Sequence, residues 1–80
     1  MIIKLDKLKP KEKAIVKEIG GKGPVRRRLI DMGITPGANV MMRKTAPFGD
    51  PMQINIRGYE LSIRKTEAEQ VLVEKVEEWT

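Results

Sequence analysis

The sequence predicts a mostly β domain: a small barrel or strongly curled sheet of about five short strands, with one two-turn helix between the first and second. Apolar and polar residues alternate strictly through Met52, Ile54 and Ile56, and again through Tyr59, Leu61 and Ile63, which marks two strands with one wet face each. A short helical stripe, Val25, Leu29 and Met32 at i, i+4 and i+7, is closed at once by Gly33. Gly/Pro clusters then divide the rest of the chain into segments of strand length.

All 80 residues fit one domain, residues 1–80, with a core over about 5–76 and a tail at 77–80 expected to fray. A chain this short buries only a little over ~60% of its unfolded surface, so every apolar stripe is needed for the core and little room is left for an enclosed active site. Met1 to Lys13 reads as a turn leading into a strand, with Ile3, Leu5 and Leu8 as isolated anchors, Asp6 as a candidate cap and Pro10 as a stop. The first strand is Ala14 to Ile19, where Ala14 and Val16 share one face, and Ile15 and Ile19 the other. Gly20-Gly21-Lys22-Gly23 ends it, and Pro24 suits the first helical position, where its missing N–H is not needed.

The helix runs from Val25 to Met32 and stops at Gly33, after which Pro36-Gly37 supplies the central pair of a type II turn. Val40 and Met42 begin the second strand, with Met41 and Arg43 on its other face. Thr45 to Pro51 is a loop; Arg57-Gly58 joins the two alternating strands; Glu67-Ala68-Glu69 makes a brief turn, and Val71 and Val73 close the set.

The net charge of +5 is unevenly spread. Residues 1–32 carry ten Lys or Arg against four acids, whereas residues 66–80 carry one against five. A basic front and an acidic tail point to a surface that meets an acidic partner, although Lys/Glu enrichment as plain solvation in a heat-adapted protein accounts for the same counts. The one local conflict is Arg26-Arg27-Arg28 at the start of the helix, where cations oppose the macrodipole by ~0.3 to 1 kcal/mol each. Asp31 can answer Arg27 or Arg28 from within the helix, but an Arg that precedes its acid at i, i+4 is the weaker orientation. With Lys13 and Lys17 on the adjacent strand, these arginines form the candidate docking patch.

The order of the turn signals is informative beyond the fold. Leu29-x-x-Met32-Gly33-Ile34-x-Pro36-Gly37 is followed by Pro47-x-Gly49-Asp50-Pro51, then Gly58-Tyr59-x-Leu61-x-Ile63-Arg64, then Glu67-Ala68 with Val71 and Val73. From about Leu5 to Val73 the chain resembles the FeoA family of ferrous-iron transport accessory proteins, departing from it at Lys11, where many members carry Gly. The resemblance implies an SH3-like barrel and a cytoplasmic protein whose partner is FeoB, a membrane permease with a soluble GTPase part. It leaves open how the partner is affected and whether the chain self-associates. The motif residues Leu29, Met32, Gly33, Pro36, Gly37, Gly49, Asp50, Pro51 and Gly58 are expected to shape the scaffold, Asp50 either capping backbone N–H groups or facing a partner.

Other functions are weighed on the same residues. An enzyme is not expected, since there is no His or Cys and Ser62 has no visible general base. The Gly20 to Pro24 loop lacks the spacing of a phosphate-binding loop, and an arginine finger at Arg26, Arg27 or Arg28 rests on charge alone. No cofactor and no metal site are expected: Met32, Met42 and Met52 sit on core stripes, leaving only carboxylates such as Glu67, Glu69, Glu74, Glu77 and Glu78 as ligands. Nucleic-acid binding, alone or as part of a transcription regulator, is the main alternative, because the pI is about 9.8. Against specific nucleic-acid recognition, the three aromatics Phe48, Tyr59 and Trp79 are not interleaved with basic residues, and their scarcity also disfavours a groove for proline-rich peptides. No apolar run approaches the length of a membrane span, and Met1-Ile2-Ile3-Lys4 lacks the apolar region of a signal peptide.

Overall fold

Six antiparallel strands form one sheet in the order β1-β6-β2-β3-β4-β5. The computed structural model describes residues 1–45 and 47–78. The strands are β1 (Ile2–Lys4), β2 (Lys13–Ile19), β3 (Asn39–Thr45), β4 (Met52–Ile56), β5 (Tyr59–Ile63) and β6 (Val71–Val76); helix α1 (Gly23–Asp31) lies between β2 and β3, and the single-turn α2 (Lys65–Ala68) between β5 and β6. Buried side chains from β2 to β6 fall in one cluster, to which α1 adds only Leu29. A flat six-stranded sheet could not enclose one core from a single face without a covering layer, so the sheet curls round its own apolar side.

The alternation expected in the second half of the chain is present: Val40, Met42, Met52, Ile54, Ile56, Ile63, Val71 and Val73 are all buried. The β4–β5 hairpin turns on Arg57 and Gly58, both at positive φ (51° and 89°), as a two-residue type I′ turn requires. Tyr59 departs from the pattern. It begins β5 beside the turn and stays 74% exposed.

Three expectations from the first half are corrected. There are six strands rather than five, because Ile2–Lys4 pairs with the far end of the chain through Ile3↔Val73, a partner that local sequence does not reveal. Asp6 caps no helix; it lies inside a 3-10 turn over Leu5–Lys7 that has no side-chain cap. Ile19 does not share a face with Ile15. The β2–β6 register passes from Val16↔Val73 to Glu18↔Leu72, so Lys17 is an extra, bulged residue that restores Ile19 to the core side, where it is buried. A second shift between Met42 and Lys44 bends β3 against β4 in the same way.

At the end of α1 the expected stop is seen. Gly33, at φ +92°, donates its N–H to Ile30 O (2.9 Å), and Ile34 donates to Leu29 O (3.0 Å), the paired bonds of a Schellman motif. Leu29 and Ile34, both fully buried, make its apolar contact. No atom lies within 4 Å of where a Cβ on Gly33 would be, so conformation and not space demands glycine there. The next turn closes through Ala38 N–H to Thr35 O (3.0 Å), with Pro36 and Gly37 at its centre as expected. The helix begins earlier than expected, at Gly23, so Pro24 occupies its second position, and Val25 at its first turn is 41% exposed rather than part of the core. Of the tail, Glu77 and Glu78 are exposed, while Trp79 and Thr80 lie outside the described residues.

Deleting Lys17 should remove the bulge yet leave Ile19 on the core side, because Val16, Glu18 and Ile19 then alternate in, out, in, whereas Ile19→Ala should cost about 2 to 5 kcal/mol. Urea unfolding measures both, and a loss on deleting Lys17 as large as that of Ile19→Ala would mean that Lys17 is not the unpaired residue of the bulge.

Candidate functional site

Helix α1 presents a surface concavity of about 360 Å³, lined by Gly23, Arg26, Arg27, Ile30 and Asp31. These positions, spaced 3, 1, 3 and 1 residues apart, are the helix's outward side. Of its nine residues only Leu29 is buried, so apolar packing alone seats the helix weakly.

Two of its arginines supply the rest. Arg26 reaches back along the helix start and donates from Nη1 to the Ile19 carbonyl at the end of β2. Arg28 turns the other way, its Nε 3.0 Å from Glu67 Oε2. Glu67 is a buried charged residue, and its other oxygen accepts the Arg64 backbone N–H at 2.9 Å. That second bond caps α2, since Arg64 is the residue before its first turn, and a carboxylate at a helix start is favoured by the peptide dipoles. One carboxylate therefore starts α2 and anchors α1. Asp31, the expected answer to Arg27, makes no ion pair among the described residues, and Arg27 makes none either.

The other docking candidates lie elsewhere. Lys13 opens β2, six residues from Ile19 and so about 20 Å away along the strand. Its Nζ is 3.2 Å from Glu78 Oε2, and Lys17 Nζ is 3.5 Å from Glu74 Oε1. Across the same sheet Lys75 Nζ meets Glu12 Oε2 at 2.5 Å, and this ammonium, with the Lys9 backbone N–H, holds the Glu12 carboxyl below its ordinary 4.5. Thus the basic front and the acidic tail, far apart in sequence, lie against each other across β2 and β6, and much of the apparent charge polarity is neutralised within the fold.

Two further contacts assign the motif residues. Asp50 Oδ1 accepts the Lys65 N–H at 3.0 Å, so the Pro47 to Pro51 loop is tied to the start of α2 and the Asp50 carboxylate serves the backbone. Arg57 donates from Nε to Gly33 O (3.3 Å) and from Nη2 to Thr35 Oγ1 (2.5 Å), clamping the exit of α1 to the β4–β5 turn. Residue spacing alone gave no sign of the Arg57 clamp. The Glu67 cap had a faint one, an acid three residues after Arg64, as in a capping box, although Arg64 stands where Ser or Thr is usual. Among the described residues no group of three or more His, Cys, Asp or Glu is placed to hold a metal ion, and no helix is long and apolar enough to cross a membrane.

A family model described as the FeoA domain matches residues 3–75. The chain belongs to the FeoA family. A FeoA-like protein from Clostridium acetobutylicum, solved by NMR, is 40% identical and superposes with a TM-score of 0.88 over 99% of this chain and 92% of that one. The Stenotrophomonas maltophilia FeoA, crystallised with zinc and described as a procaryotic SH3 domain protein, is 25% identical with a TM-score of 0.79 over 90% of this chain and 89% of that one. The curled sheet is accordingly the SH3-like fold of FeoA proteins. A Porphyromonas gingivalis fusion of Fe(2+) transport protein A with the Fe(2+) transporter FeoB is 28% identical over 74 residues, which span 92% of this chain and 9% of the fusion.

Replacing Glu67 by Ala should cost about 2 to 3 kcal/mol, because it removes the cap of α2 and the partner of Arg28 together. Arg28→Ala should cost no more than about 1 kcal/mol, its guanidinium being 59% exposed and so screened by solvent. Thermal and urea unfolding of both variants test this; equal costs would mean that the ion pair, not the cap, dominates.

Proposed function

We propose that this FeoA-family chain is a cytosolic, non-enzymatic accessory protein of ferrous iron uptake that docks on the soluble, GTPase-containing part of a FeoB-type permease. The observation that carries the reading is the Porphyromonas gingivalis relative, in which a domain similar to nearly all of this chain is covalently joined to FeoB. Joining two modules replaces a binding step by an effective concentration of order mM, so a separate chain doing the same work needs a docking surface of its own.

The outward side of α1 suits that role. Arg26 and Arg28 are engaged by the fold, which leaves Arg27 as the α1 guanidinium with neither an ion pair nor a side-chain hydrogen bond among the described residues, beside the 39% exposed Ile30. A desolvated arginine next to an apolar side chain is a common centre of binding energy. Lys13 and Lys17, held by carboxylates of the acidic end, contribute charge at a distance rather than contact.

Titration calorimetry against the permease's soluble domain tests the reading. Arg27→Ala should weaken binding about tenfold with unchanged folding, while Lys17→Ala should leave it nearly as it was. Equal affinity of folded Arg27→Ala and the parent would refute the assignment, and no binding by the parent would refute the function.

A further inference from the structure

Among the described residues, the most exposed large apolar side chain lies outside α1. Phe48 is 96% exposed, at the tip of the loop between β3 and β4. The loop is held out rather than collapsed: Asp50 ties it to the Lys65 N–H, and Pro47 and Pro51 restrict the backbone on either side. An aromatic ring is thus displayed to water in a chain that contains only three aromatics.

Its surroundings are cationic. Lys44 lines a concavity of about 250 Å³ with Thr45, Pro47, Pro51 and Gln53, and a neighbouring one that also includes Lys11. Lys65 stands on the other side of the loop, where its N–H meets Asp50. Lys11, Lys44 and Lys65 are exposed and make no ion pair among the described residues, in contrast to Lys13, Lys17 and Lys75. Arg43, between them in sequence and space, is neutralised by Glu60 at 3.1 Å.

We infer that this end of the barrel docks on an anionic lipid surface, with Phe48 entering the headgroup region and Lys11, Lys44 and Lys65 meeting lipid phosphates. A protein pocket for Phe48 would call for a complementary apolar rim and directional hydrogen-bonding groups around the ring, whereas its neighbours are Pro47, Gly49 and Pro51. Flexible ammonium groups around one aromatic fit a diffuse negative surface, where each lysine adds a similar increment and the ring sits at the interface. Three lysines and one ring give reversible, salt-sensitive attachment. This inference is independent of the permease reading, because the binding surface it invokes is lipid alone.

Co-sedimentation with phosphatidylcholine vesicles, with and without phosphatidylglycerol, tests it. The full chain should bind only the anionic vesicles and be released by salt. Phe48→Ser should weaken binding about tenfold, Phe48→Trp should retain it, and the triple Lys11→Gln, Lys44→Gln, Lys65→Gln variant should lose about a hundredfold, with circular dichroism unchanged throughout. Absence of binding to anionic vesicles, or a folded Phe48→Ser variant that binds them like the parent, overturns the inference. If Phe48→Ser instead weakens only the association with the permease's soluble domain, the loop is a protein contact and the lipid proposal fails.

Discussion

The carboxylate of Glu67 is the point on which the arrangement of this molecule turns. The residue is 8% exposed, and its carboxylate accepts the Arg64 N–H at one oxygen and meets Arg28 at the other. With both oxygens facing donors, the cost of taking this charge from water is offset by charge-assisted contacts. Because α1 buries a single side chain, its orientation over the sheet depends on such polar tethers: Arg28 on one flank, Arg26 to the Ile19 carbonyl on the other, and Arg57 across its exit. What these tethers leave facing outward, Arg27 and Ile30, is decided by what they pull inward.

The sheet carries out a similar sorting of charge. Antiparallel pairing of β2 with β6 sets Lys17 against Glu74, and Lys13 meets Glu78 just beyond the strand end. An exposed pair of this kind adds little stability, and its consequence is electrostatic rather than energetic. The field of the folded chain is weaker over that face than the sequence suggests, and the unneutralised cations are concentrated at α1 and around the Pro47 to Pro51 loop.

How much of this was legible in the sequence follows from the range of each interaction. The buried faces of β4, β6 and the first part of β3 could be read directly, because alternation at a period of two reports which side faces the core. The end of α1 could be read too, since a left-handed backbone position after an apolar stripe needs glycine, as Gly33 provides. Ile19 was misplaced because a bulge is a property of two paired strands, and nothing in residues 14–19 alone shows that Lys17 is skipped. β1 was missed for the same reason, its partner being some seventy residues away. The arginine run was visible as an anomaly, but its division into inward and outward members was not. That division depends on Glu67, thirty-nine positions beyond Arg28, and on a carbonyl that no sequence pattern marks.

The central claim is that the tethering of α1 creates the contact face. The most direct measurement is methyl NMR of an isoleucine-labelled sample titrated with the soluble domain of a FeoB-type permease. Ile30 on α1 and Ile2 on β1 are both exposed to solvent, at 39% and 50%, so each can report contact. The account predicts that the Ile30 methyl shifts and broadens early in the titration while Ile2 stays unchanged. Perturbation of Ile2 with a silent Ile30 would contradict it.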